Sequence, residues 1–176
     1  MPQYFRNYTT NSAFFRDNYY LNRKLDRIDQ RILNELQADG RLSIVELASR
    51  VNLTNTPCSE RVRRLEKTGY IKRYAAIVDP SLLGFSQLSV VQVSLEATSG
   101  GALDTFNAAV LNIKEIESCL MIAGSFDYLL VVRTRDIAHF REVLGERISK
   151  LPGIRQSNSY AVMEVVKEVS SFHVGQ

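Results

Sequence analysis

Between Leu25 and Gly69 the sequence sets three helix starts and three helix stops, and this punctuation leaves little choice of fold. Asp26, with Asp29 three residues on, places negative charge at the positive end of a helix dipole. Ile28, Ile32, Leu33 and Leu36 then recur at helical spacing, and Asp39-Gly40 is a stop with Gly40 expected at the left-handed C′ position. Ser43 and Glu46 form an S-x-x-E capping box that opens a second helix through Leu47, Ala48 and Val51. Asn52 follows, a residue type that tolerates the left-handed conformation of a tight turn. A third helix opens between Thr54 and Pro57, with proline in the first turn, where a missing N–H costs nothing. Its core stripe is Cys58, Val62 and Leu65, and Gly69 ends it. The β-rich run Tyr70–Val78 predicts a short hairpin or wing closed by Asp79-Pro80. Three helices, the second and third about three residues apart, followed by strands, make a winged helix-turn-helix.

After the linker Ser81–Phe85 the periodicity changes. Leu88–Leu95 alternates as a strand, and Gly100-Gly101 leads into a helix with Leu103, Phe106, Ala109 and Val110. Ile116–Ala123 and Tyr128–Arg133 read as strands joined by the hairpin turn Gly124-Ser125-Phe126-Asp127. Ile137–Lys150 is amphipathic through Ile137, Phe140, Val143, Leu144 and Ile148, and Ile154–Val166 is a last strand. The order βαββαβ predicts a ferredoxin-like domain, so the fold class is α+β. The domains fall at 1–24, 25–86 and 87–176. The first of these is an aromatic and basic arm holding seven of the sixteen Phe and Tyr residues, with no periodic order.

The net charge of +3 on 176 residues hides a division. The first 80 residues carry 14 basic and 9 acidic side chains, while the remainder carries 8 and 10. A basic half beside a mildly acidic one suits a nucleic-acid module joined to something else. No run approaches the ~20 apolar residues of a membrane span, and the first 24 residues lack a secretory apolar core. A cytoplasmic protein is expected. Two cysteines and two histidines exclude a disulfide framework, and no metal site is expected.

With Cys58, Val62 and Leu65 buried, helical geometry places Thr56, Glu60, Arg63, Arg64 and Lys67 on the opposite face of the third helix. Arginine there can fork onto guanine, and Glu60 can accept from cytosine. Thr54, Asn55, Thr56 and Ser59 at the helix start suit phosphate contacts, and Lys72 and Arg73 in the wing add charge. The alternative for this face is solvated Glu–Arg pairing such as Glu60–Arg64. Nothing suggests catalysis: His139 and His173 stand without a nucleophile or carboxylate pattern, Cys58 and Cys119 read as buried thiols, and Gly100-Gly101 is no phosphate loop. The Gly124–Asp127 turn has two readings. Asp127 satisfies its own backbone, or its carboxylate beside exposed loop N–H groups, flanked by Met121 and Ile137, holds a free amino acid.

Several stretches together resemble the leucine-responsive regulatory protein/AsnC (feast/famine) family of transcription regulators. They are Leu25–Asp29, Ile32–Gln37, Asp39–Arg41, Val45–Leu47, Pro57-Cys58, Glu60–Glu66, Gly124, Phe126–Leu130, Leu151–Gly153 and Tyr160 with Val162–Glu164. The resemblance implies sequence-specific binding of double-stranded DNA, controlled by a free amino acid (leucine or another) and directed at amino-acid metabolism genes. It implies homodimers formed through the second domain that assemble into octamers, with no cofactor besides the effector. By position it places the effector site at Met121, Gly124, Asp127, Ile137, Ser159, Ala161 and Val162. Ser159 and Ala161 stand where a close relative has Thr and Val, Asn52 and Arg73 where Gly is common, and the arm 1–24 lies outside the pattern. A largely non-specific architectural DNA-binding protein and an amino-acid-binding regulatory subunit are the rival readings.

Overall fold

The computed structural model describes residues 25–168 and 172–175, so the expected arm at 1–24 lies outside the described residues. The described chain divides into two compact units. One comprises the residues up to Ile77 together with those from Lys167 onward, and the other is Val78–Val166. The division at Ile77/Val78 differs from the 86/87 boundary read from sequence. The C-terminal residues also group with the first unit rather than the second.

The first unit is built on three helices. Asp26 caps α1 (Arg27–Ala38): its carboxylate accepts from the Asp29 N–H at 2.8 Å, and Asp29 accepts in return from the Asp26 N–H. Gly40 does not take the expected left-handed conformation. Asp39 ends the helix in extended backbone, its N–H bonded to the Glu35 carbonyl. A Cβ at Gly40 would stand 3.5 Å from Tyr74 Cδ1, an ordinary van der Waals contact, so packing does not require glycine there. The Ser43–Glu46 box caps α2 (Ile44–Arg50), and Asn52 turns the chain at φ 59°. Thr54 starts α3 (Asn55–Lys67), and Gly69 ends it at φ 80°. Ile32, Leu47 and Cys58 are fully buried where the three helices meet, with Ala48, Val51, Val62 and Leu65 around them. Residues 70–78 form no strand, which corrects the expected wing. The run has β-branched residues but no glycine or asparagine to reverse the chain, so no hairpin closes within it. Tyr70 and Ile71 pack on the helices, and the Tyr74 hydroxyl donates to Glu66 at 3.0 Å.

The second unit has the expected order: β1 (Gln87–Leu95), α4 (Ala102–Val110), β2 (Ile116–Met121), β3 (Tyr128–Thr134), α5 (Ile137–Glu146) and β4 (Ile154–Ala161). All pairings are antiparallel and the strand order is β2-β3-β1-β4. Both helices cover one face, burying Val91, Val93, Leu130, Val132, Phe106 and Phe140. Two elements are shorter than the sequence predicts. α5 breaks at Arg147 before a 3₁₀ turn at Ile148–Lys150, and β4 stops at Ala161 rather than Val166. Ile137, read as a core position, is 53% exposed because it begins α5 before the helix reaches the sheet.

Strict alternation along β3 leaves the second sheet face uncovered by this unit. Leu88, Val90, Leu129 and Val131 are half-buried there, and Leu120 and Tyr160 are about half exposed. Cys58 is fully buried, and burial pushes the Cys119 thiol up to about 11. Only the thiolate alkylates quickly, so both cysteines should resist iodoacetamide at pH 8 in the folded protein and react in denaturant. Fast labelling of Cys119 in the native state would show that burial does not hold it protonated.

Candidate nucleic-acid interface and effector site

The start of α3 is electrostatically open. Thr54 makes no side-chain cap bond, no acidic residue lies in the first turn, and Thr54, Asn55 and Thr56 are exposed. The unbonded N–H groups there form a positive pole suited to phosphate. Ser59 is half-buried, while Glu60, Arg63, Arg64 and Lys67 are all exposed. Among the described residues Arg63 and Lys67 form no ion pair, so their charges remain available. Lys72 and Arg73 are exposed on the extended segment after α3.

Arg64 behaves differently from its neighbours on the helix. Its guanidinium turns back to α1, with Nη2 2.6 Å from each carboxylate oxygen of Asp29. The expected Glu60–Arg64 pair is replaced by this contact. Arg61, absent from the sequence-based set, joins it at 2.8 Å from Asp29 and also reaches Asp26. Asp26 first and Asp29 second hold the Arg61 guanidinium firmly charged. Asp29 is only 4% exposed, so this is a buried charge clamped by two arginines. It fixes α3 against α1 and thereby sets how Arg63 and Lys67 are presented. The sequence signal for it is an acid pair and a basic pair each at i,i+3, Asp26/Asp29 and Arg61/Arg64, on helices whose stripes face each other.

Asp127 occupies the end of the β2–β3 turn. It does not satisfy its own turn: its Oδ2 accepts from the Leu95 N–H of β1 at 2.7 Å, and its N–H donates to the Val93 carbonyl at 2.9 Å. Among the described residues the other carboxylate oxygen finds no donor, and the N–H groups of Ala123, Gly124, Ser125 and Phe126 find no acceptor. An acceptor beside a row of unbonded donors matches the ammonium and carboxylate of an amino acid. Met121 ends β2 next to this turn and is 54% exposed. The other expected effector residues are not gathered there. Ile137 follows the far end of β3, about 20 Å along the strand from Asp127. Ala161 and Val162 pair with Ser89 and Leu88 near that same far end, and Ser159 lies opposite Val91 at mid-strand. Within one chain the set is therefore spread along the sheet, with Met121, Gly124 and Asp127 at one end, Ile137, Ala161 and Val162 at the other and Ser159 between them.

Family models for a winged helix-turn-helix DNA-binding domain and the Lrp/AsnC ligand binding domain match residues 25–72 and 88–172. Over 144 residues, 82% of this chain, it is 49% identical to the leucine-responsive regulatory protein of Salmonella typhimurium, covering 88% of that protein. The chain belongs to the Lrp/AsnC family. It is a DNA-binding transcription regulator responsive to amino acids. The Escherichia coli leucine-responsive regulatory protein is 48% identical over the same coverage. A Neisseria meningitidis transcriptional regulator solved with L-methionine superposes with a TM-score of 0.80 at 32% identity, covering 85% of this chain and 96% of that one. The feast or famine regulatory protein of M. tuberculosis, also complexed with L-methionine, gives 0.78 at 30% identity, covering 85% and 99%.

Proposed function

We propose that this regulator recognises its operator through the outer face of α3 and that an apolar amino acid bound at the 122–127 turn adjusts that binding. The observation that carries the DNA reading is that, among the described residues, Arg63 and Lys67 form no ion pair and stand exposed on the helix that has an uncapped, acid-free start. Arg63 reads bases, Lys67, Lys72 and Arg73 neutralise phosphates, and Thr54, Asn55, Thr56 and Ser59 seat a phosphate at the helix start. Arg64 acts chiefly through Asp29. Glu60 selects against bases that offer no donor. The protein performs no catalysis and works in the cytoplasm.

Arg63→Ala should weaken operator binding about 10- to 100-fold while lowering affinity for random DNA far less, as expected for a bidentate base contact. Titrations against both DNAs at two salt concentrations check it. Equal losses on both would reduce Arg63 to a phosphate contact, and equal wild-type affinity for both would support the architectural reading. No DNA binding at all would leave the regulatory-subunit reading.

The dimer forms through the open sheet face, since Leu120, Leu129, Val131, Val90 and Tyr160 offer it a continuous apolar patch. Paired α3 helices then meet half-sites about one helical turn apart. Dimers assemble further into octamers, and the effector residues spread along the sheet complete each other across copies: Met121, Gly124 and Asp127 from one, Ile137, Ser159, Ala161 and Val162 from another. The smaller Ser159 and Ala161 leave room for an unbranched side chain, so L-methionine should raise the melting temperature at least as much as L-leucine. A thermal-shift panel of free amino acids decides this, because a ligand bound to the folded state stabilises it.

A further inference from the structure

Residues 172–175 group with the three-helix unit, the DNA reader, and are held there by a site built on α1. Asn34 and Gln37 stand three residues apart on that helix. The Asn34 amide donates to the Val174 carbonyl at 2.9 Å and accepts from its N–H at 2.9 Å. The Gln37 amide does the same for Phe172, at 2.9 and 3.0 Å. Two side chains thus reproduce the pairing a neighbouring strand would give residues i and i+2 of an extended segment. Val174 packs against the reader's apolar core. Gly175 has φ 104°, and a Cβ there would stand 2.6 Å from Gln30 Oε1. The site accordingly selects backbone at Phe172 and Val174, an apolar side chain at Val174 and glycine at Gly175.

The path of the chain gives this dock its meaning. The last sheet strand, with Ser159 and Ala161, ends in the sensor, while the described residues Lys167, Glu168 and 172–175 belong to the reader. The C-terminal segment is therefore a second covalent tether between the two units, beside the stretch that leads from α3 to β1. The bonds that hold it are made by neutral amides, and those at Phe172 are exposed to water. Docked and released forms then lie close in free energy, as an element that responds to a ligand must.

We propose that Phe172–Gly175 is a strap through which the effector state of the sensor reaches the DNA reader. This rests on the reading of α3 as the DNA contact and of the sensor as an amino-acid site. Movement of β4 on effector binding loads or slackens the strap, and the strap adjusts the position of α1 and, through the Asp29 clamp, of α3.

The test compares the full chain with N34A/Q37A, alanine being a good helix former, and with G175A. Hydrogen exchange should show the amides of Phe172 and Val174 protected in the wild type and open in both variants. Operator affinity is then measured with and without L-methionine and L-leucine, and amino-acid binding is measured separately by calorimetry. The wild type should change its operator affinity by about 5-fold or more with one of the two, a usual size for such coupling. Both variants should bind that amino acid as tightly as the wild type but change operator affinity less than about 2-fold. Unprotected amides in the wild type, or a full response in the variants, would overturn the strap alone. A wild type that neither binds the operator nor responds to either amino acid would overturn the function proposed above and the strap with it.

Discussion

Replacing Asp29 by alanine should lower the melting temperature of the reader sharply while leaving that of the sensor unchanged. Asp29 is 4% exposed and receives Arg61 and Arg64 at 2.6–2.8 Å, so its removal strands two guanidinium groups that it neutralised. Breaking a buried ion pair costs about 3–5 kcal/mol. Arg64 is already half exposed and Arg61 can turn partly to water, which puts the loss near the lower end, about 3 kcal/mol. A domain this small holds little stability in reserve, and a loss of that size exhausts much of it. Calorimetry should resolve an early transition for the reader ahead of an unchanged one for the sensor, with operator binding lost and amino-acid binding kept. A single transition at the wild-type temperature would mean that the clamp contributes nothing. The same cluster makes the reader acid-sensitive. Desolvation is the largest single influence on Asp26 and works against its ionised form, but the Arg61 hydrogen bond and charge, together with the backbone N–H groups of Asp29 and Ile28, jointly hold the carboxyl below its ordinary 3.8. A group depressed in the folded state contributes stability above its unfolded value and loses it as pH falls, so this contribution fades below about 4.

Asp127→Asn and Asp127→Ala should separate two roles that one carboxylate combines. The amide oxygen introduced by Asp127→Asn can still accept from the Leu95 N–H, so the fold should melt within about a degree or two of wild type, as neutral replacements of a satisfied bond allow. The negative charge facing an amino-acid ammonium is gone, and effector affinity should fall more than about 10-fold, the scale of one lost charge-assisted bond. Alanine leaves the buried Leu95 N–H without a partner and costs a further ~1–3 kcal/mol of stability. Operator binding without effector should survive in the Asp127→Asn variant at wild-type strength. Undiminished amino-acid binding in that variant would make the residue a cap for β1 and nothing more.

Much of the fold was legible because its signals are local. Asp26/Asp29, Ser43/Glu46, Asn52 and Gly69 act within a few residues of where they stand, and each takes its expected conformation. What local reasoning missed depended on residues distant in sequence. Gly40 is the exception: the helix ends beside it as expected, but Asp39 closes that end in extended backbone without a left-handed residue. The β-rich run after α3 had the composition of a strand but, among the described residues, pairs with no other strand. Helical geometry put Arg64 on the outer face correctly, yet its side chain is long enough to reach around to Asp29. The dock for the C-terminal segment left no periodic trace at all, since two amides on a helix flank look like ordinary solvated residues. The effector residues carry only positional logic, and the chain by itself separates them along the sheet.

The uncovered sheet face also makes copy number a variable. In the dimer proposed above, a patch running from Leu120 through Val131 to Tyr160 is dry only when a second chain is present. The population able to grip paired half-sites then rises with roughly the square of protein concentration at low abundance. Such a regulator answers to how much of itself the cell has made, before any amino acid is bound.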